Sequence, residues 1–112
     1  MHEVSIMAQT LEIATKNACQ QGANKIHRLK MRIGAMSGVV PEALNFAFDV
    51  VSEGTIAQGA NLEIEIVPVV CYCFHCQIEF QPPDLFYECP QCTHLSNKII
   101  AGREIELTSL EI

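Results

Sequence analysis

Two Cys-x-x-Cys pairs, Cys73-Phe74-His75-Cys76 and Cys89-Pro90-Gln91-Cys92, stand twelve residues apart and constrain the fold more than any other feature of the chain. The stretch that carries them, roughly residues 71–98, has few aliphatic side chains. It is too short to hold itself together by burying apolar surface, so it needs a staple. One tetrahedral ion meets that need, because each two-residue turn offers two sulfurs and four thiolates fill its coordination sphere.

Zn2+ is the expected occupant of Cys73, Cys76, Cys89 and Cys92. Iron accepts the same cage, but Gln77 and Thr93 follow the pairs where rubredoxin-type knuckles commonly carry Gly. A closed four-thiolate site has no open position for substrate, so the zinc is expected to be structural. A thioredoxin-like redox pair would need a single motif at a helix start within a βαβ unit, and the flanking sequence does not read that way. Of the other two cysteines, Cys71, two residues before the first ligand, could replace one but is expected as a spare thiol, and Cys19 as a small core residue. His75 and His94, beside the ligands, are expected as exposed knuckle histidines, with a secondary contact to the metal as the alternative.

Outside the insert the apolar pattern changes period. Val4, Met7, Leu11, Ala14 and Ala18 recur at helical spacing, and Gly22 ends the element. Leu29, Met31 and Ile33 alternate with Arg28, Lys30 and Arg32 as in a half-buried strand. Beyond a turn at residues 34–38, Pro41 opens a second helix with Leu44, Ala47, Phe48 and Val51 on its apolar face. Leu62, Ile64 and Ile66 mark a second strand that stops at Pro68, and Ile105 and Leu107 a third. The expected fold is α+β: two helices packed on a three-stranded mixed sheet, with an inserted four-cysteine zinc ribbon. The expected domains are residues 1–70 plus 99–112, and residues 71–98. Hydrophobic residues make up 49% of the 112, enough for a packed core.

The formal charge is −6, and four thiolates on Zn2+ make it more negative still. That balance disfavours a nucleic-acid partner, whose phosphates call for clustered Lys and Arg. Four of the seven basic residues do fall within residues 25–32, but Glu63, Glu65, Glu104 and Glu106 on the other strands are placed to pair with them across the sheet. The longest apolar run, residues 66–74, is broken by Pro68 and is far short of the ~18 residues of a membrane span. Glu3 stands where the apolar part of a secretory leader would begin. The chain is therefore expected to be cytoplasmic, with no membrane partner, and its six cysteines to serve metal chemistry rather than disulfides. No nucleophile–base pairing suggests an enzyme.

His2 acquires meaning from its position. A free α-amine, the His2 amide nitrogen and the imidazole can chelate one ion, a planar nitrogen-rich set that suits Ni(II) or Cu(II) better than zinc. On this argument alone a histidine at position 2 is more simply accidental.

The opening Met1-His2-Glu3, the turn-helix segment from Gly34 to Leu44, Phe46-Ala47-Phe48, the two Cys-x-x-Cys pairs and the closing Gly102-Arg103-Glu104-Ile105 with Leu110-Glu111 together resemble the hydrogenase nickel-incorporation accessory proteins, the HypA/HybF family. The resemblance covers essentially the whole chain. It implies a metallochaperone that holds Ni(II) transiently through His2 with Glu3 assisting, and whose zinc ribbon keeps structure and presents a surface to partners. The implied partners are a nickel-delivery GTPase and the large subunit of a [NiFe]-hydrogenase; some members also serve urease maturation. Many members have an acidic residue where this chain has Val40, which puts a third ligand from that position in doubt. Glu42, two residues on, is the candidate replacement, though an acidic residue there also suits a helix N-terminus.

Overall fold

The computed structural model describes residues 2–82, 86–96 and 98–112. In chain order the elements are α1 (Glu3–Gln20), β1 (Arg28–Gly34), α2 (Pro41–Val51), β2 (Asn61–Val67), β3 (Val70–Cys73), β4 (Ile78–Phe80), β5 (Lys98–Ala101) and β6 (Ile105–Glu111). They form two three-stranded sheets, ordered β2-β1-β6 and β4-β3-β5. In the first, β1 runs parallel to β2 and antiparallel to β6, so the sheet is mixed as the sequence predicts. The second, wholly antiparallel sheet lies around the cysteine motifs, where the sequence carries no legible strand pattern.

The period-3.6 stripe of α1 buries Ile6, Met7, Thr10, Leu11, Ala14 and Ala18, whereas Val4, expected in the stripe, is exposed and Ile6 is buried instead. Thr10 is tolerated there because its hydroxyl donates to the Ile6 carbonyl at 2.8 Å. The helix stops at Gly22, whose φ of 77° costs no Cβ strain. Gly22 N–H returns to the Cys19 carbonyl and Ala23 N–H to that of Ala18, each at 3.0 Å, a Schellman closure. Cys19 departs from expectation: it is exposed, because Ala18 occupies the core-facing position beside it.

In β1, Leu29, Met31 and Ile33 are fully buried in one cluster with the inner faces of α1 and α2. Leu62 and Ile64 of β2 are only half-buried and Ile66, expected beside them, is exposed, as befits an edge strand. The outer face of the sheet is a ladder of exposed ion pairs: Arg28 with Glu63 and Glu111, Lys30 with Glu65, and Arg32 with Glu65 and Glu106. The basic strip of the sequence is thus matched by acidic neighbours. Glu104 is the exception. It precedes β6, and its carboxylate accepts the Gly102 N–H at 2.9 Å; Glu111 joins the ladder at the other end.

The two sheets meet at one junction. Gly34, Ala35 and Met36 donate in turn to the carbonyls of Glu104, Val67 and Gly102, at 2.7, 2.8 and 2.8 Å. The backbones come so close that a Cβ on Gly34 would run into the carbonyl of Gly102. With its lobes end to end the chain measures 54 × 25 × 17 Å, and its radius of gyration is 17.4 Å against the ~13 Å of a compact domain of this length. Among the described residues no helix is long and apolar enough to cross a membrane.

Candidate metal centre

The sulfurs of Cys73, Cys76, Cys89 and Cys92 all lie within 4.8 Å of one another, with Cys73 Sγ and Cys92 Sγ 3.4 Å apart. A tetrahedron of thiolates about 2.3 Å from a central ion has edges of about 3.8 Å, so the spacing suits one divalent ion. Each knuckle is closed by a backbone bond, from Gln77 N–H to the Cys73 carbonyl at 2.7 Å and from Thr93 N–H to the Cys89 carbonyl at 3.0 Å. Gln77 and Thr93 have φ of 57° and 63°, the left-handed conformation that glycine would adopt without strain. The missing glycines alter the sequence signature but not the turn, at about 1–2 kcal/mol per residue.

The thiols are electrostatically unequal. Burial opposes ionisation of Cys89, but the backbone N–H groups of Cys92 and Gln91 outweigh it and lower its pKa to about 7. Cys76 is pushed up to about 12, first by sulfur hydrogen bonding with Cys92 and then by burial. Four adjacent thiols cannot all ionise unaided; a divalent cation removes that restriction.

Ser96, to which the motif gives no clue, ties the knuckles together. Its hydroxyl reaches the Tyr72 carbonyl at 2.6 Å, while its N–H bonds the Tyr87 carbonyl at 2.9 Å. Cys71 is buried behind the cluster and outside it; burial pushes its thiol up, against a hydrogen bond with Ser96. His75 and His94 are exposed, with ring centroids 4.7 Å apart. His94 is more than a surface residue, since its Nδ1 lies 3.3 Å from Cys92 Sγ.

At the other candidate site, the α-amine of Met1 lies outside the described residues. His2 is exposed and caps α1 in an extended conformation, with no side-chain cap hydrogen bond. Its carbonyl accepts the Ile6 N–H at 3.1 Å. Glu3 begins α1, and its Oε2 accepts the N–H of Val40 at 3.3 Å. Its carboxyl is held below the ordinary range, first by its own backbone N–H and then by that of Val40. The fold therefore brings Glu3 to position 40, but to the backbone there; the isopropyl group of Val40 is 51% exposed and has no donor atom. Glu42 lies exposed in the first turn of α2. Among the described residues, the four cysteines are the one cluster of three or more ligating side chains.

A family model described as hydrogenase/urease nickel incorporation, metallochaperone, hypA, matches residues 1–112. The hydrogenase maturation factor HypA of Picosynechococcus sp. (strain ATCC 27264 / PCC 7002 / PR-6) is 60% identical over 112 residues, covering 100% of this chain and 99% of that protein. The same factor from Roseiflexus sp. (strain RS-1) is 45% identical, covering 99% and 91%. Among solved structures, the Ni metallochaperone HypA from Helicobacter pylori superposes with a TM-score of 0.68 at 28% identity, covering 100% of this chain and 97% of that one. A second HypA solution structure gives a TM-score of 0.72 at 29% identity, covering 100% and 96%.

Proposed function

This chain belongs to the HypA family of hydrogenase/urease nickel-incorporation metallochaperones, and from that premise we propose that it carries Ni(II) at His2, with Glu3 assisting, and delivers it during hydrogenase maturation. The recipient in this reading is the large subunit of a [NiFe]-hydrogenase, reached with a nickel-delivery GTPase. The work is metal exchange rather than catalysis, as in the family as a whole. The observation that carries the reading is the openness of the terminus: an exposed imidazole at the start of α1, next to an anchored carboxylate. A site with few protein ligands on an open surface suits a cargo that must be given up.

The four-thiolate centre suits a resident ion. Cys73, Cys76, Cys89 and Cys92 would hold Zn2+, which supplies a cross-link between the two knuckles. The functional division we propose gives nickel to residues 1–70 plus 99–112 and zinc to residues 71–98. Exposed Phe74 and Leu95 support a role for the ribbon as a partner surface. Thiols that must stay reduced to hold metal favour a cytoplasmic location.

The test is calorimetric titration of Ni(II) into zinc-loaded protein with a native, untagged N-terminus, beside His2→Ala, with both metals quantified afterwards. One nickel bound by the parent and lost in the variant, with one zinc retained in each, is the expected result. Equal nickel binding by both would remove His2 from the site.

A further inference from the structure

Helix α2 starts without a cap of its own. Its N-cap residue is Val40, which makes no side-chain cap hydrogen bond, and Pro41 at the first helical position has no N–H to satisfy. In a capping box, a Glu or Gln at the third helical position reaches back to the N–H of the N-cap residue. Here that third position is Ala43, which has no acceptor. The N–H of Val40 instead meets Glu3 Oε2, from a residue 37 positions earlier in the chain.

We propose that Glu3 is a positioning residue: it caps α2 from the first turn of α1 and thereby fixes the N-terminal segment, His2 included, against the start of α2. The same carboxylate sits at the N-terminal end of two helices, where the partial positive charge of each favours it. His2 is one residue from this tether, so the conformational freedom that a terminal chelate must surrender on closing around an ion is already reduced. Position 40 contributes through its backbone N–H, which a valine supplies as well as an acidic residue would. The proposal rests on the terminal nickel reading only for its second arm.

The test compares the parent with Glu3→Ala and Glu3→Gln. The first arm uses nickel-free, zinc-loaded protein and measures amide hydrogen exchange at Val40 by NMR. Loss of a cap acceptor is expected to speed that exchange about fivefold in Glu3→Ala, while Glu3→Gln, whose amide oxygen still accepts, stays near the parent. The second arm measures nickel dissociation by chelator competition and should follow the same order, with Glu3→Gln rescuing slow release. Unchanged Val40 exchange in Glu3→Ala overturns the cap. Retained Val40 protection in Glu3→Gln together with nickel release as fast as in Glu3→Ala overturns positioning in favour of direct ligation by the carboxylate. Should His2→Ala bind nickel like the parent, the terminal-site reading fails while the exchange arm still decides the cap.

Discussion

The hydroxyl of Tyr87 donates to the thioether of Met36 at 3.7 Å, joining the second cysteine knuckle to the turn that follows β1. Tyr87 also packs against the apolar cluster formed around Cys71, Cys73, Phe80 and Cys89. An O–H···S contact is weak, so most of its value lies in fixing orientation. Tyr87→Phe should therefore cost no more than about 1 kcal/mol and leave one zinc bound. Urea unfolding of zinc-loaded protein measures the first, and metal analysis the second; loss of zinc in this variant would show that the hydroxyl supports the cluster itself.

Gly34 makes a sharper case. A Cβ there would meet the carbonyl of Gly102 and the amide of Arg103, all backbone atoms with no side chain to swing aside. Gly34→Ala should destabilise the protein by about 3 kcal/mol. Gly38 is the control: its φ is 84° but a Cβ would enter open space, so Gly38→Ala should cost only about 1 kcal/mol. Similar denaturation midpoints for the two variants would mean that the junction yields more readily than its geometry implies.

What the sequence made legible follows from period. Alternation in β1, β2 and β6 and the helical stripes of α1 and α2 name most of the main core, because burial on one face leaves a repeat; Val4 and Ile66, at the ends of their elements, are the apolar residues they misassign. The four-cysteine centre is legible because metal chemistry dictates the spacing. Strands β4 and β5 are three and four residues long, too short to express a repeat, and their pairing follows from the knuckles. Gln77 and Thr93 hide the turn conformation that glycine would have advertised. The Glu3–Val40 contact was illegible for a different reason: a backbone N–H has no side-chain signature, and its acceptor lies a whole strand and helix away. Cys19 was misplaced by one position, since an adjacent residue on a helix points about 100° away.

The ion-pair ladder gives a pH dependence with a definite sign. Hydrogen bonds from Lys30, then Arg32, hold the Glu65 carboxyl below its ordinary 4.5. A lowered folded-state value means that its stabilising contribution is present above the unfolded value and lost as pH falls through the lower, folded one. Glu65→Gln should therefore lower stability slightly at pH 7, and the difference should fade as the pH falls below 4.5. Its pairs are exposed, so the gap at pH 7 should shrink when salt is raised. Denaturation curves at neutral and acid pH and at two ionic strengths check this; a gap that widens on acidification contradicts it.

Removing zinc should separate the two lobes. The ribbon cluster is built from Cys71, Cys73, Phe80 and Cys89 with half-buried neighbours, whereas the larger core draws on α1, α2 and the first sheet. A strong chelator should abolish amide protection in β3, β4 and β5 while α1 and β1 keep theirs. Global loss of protection would show that the ribbon's staple supports the whole chain through the Gly34–Gly102 junction.

Acidification should then discriminate the two metals. Amine and imidazole nitrogens must be unprotonated to bind, so protons compete with nickel for them as the pH falls. The four thiolates would enclose a bound ion from all sides, and the backbone N–H groups that lower Cys89 favour the ionised sulfur. Nickel should therefore leave a doubly loaded protein by about pH 5 while zinc stays. Dialysis through descending pH with both metals quantified in the retentate reads this directly. In His2→Ala the nickel step should be absent and the zinc step unmoved; release of zinc first, or of both together, would mean that the two sites are not independent.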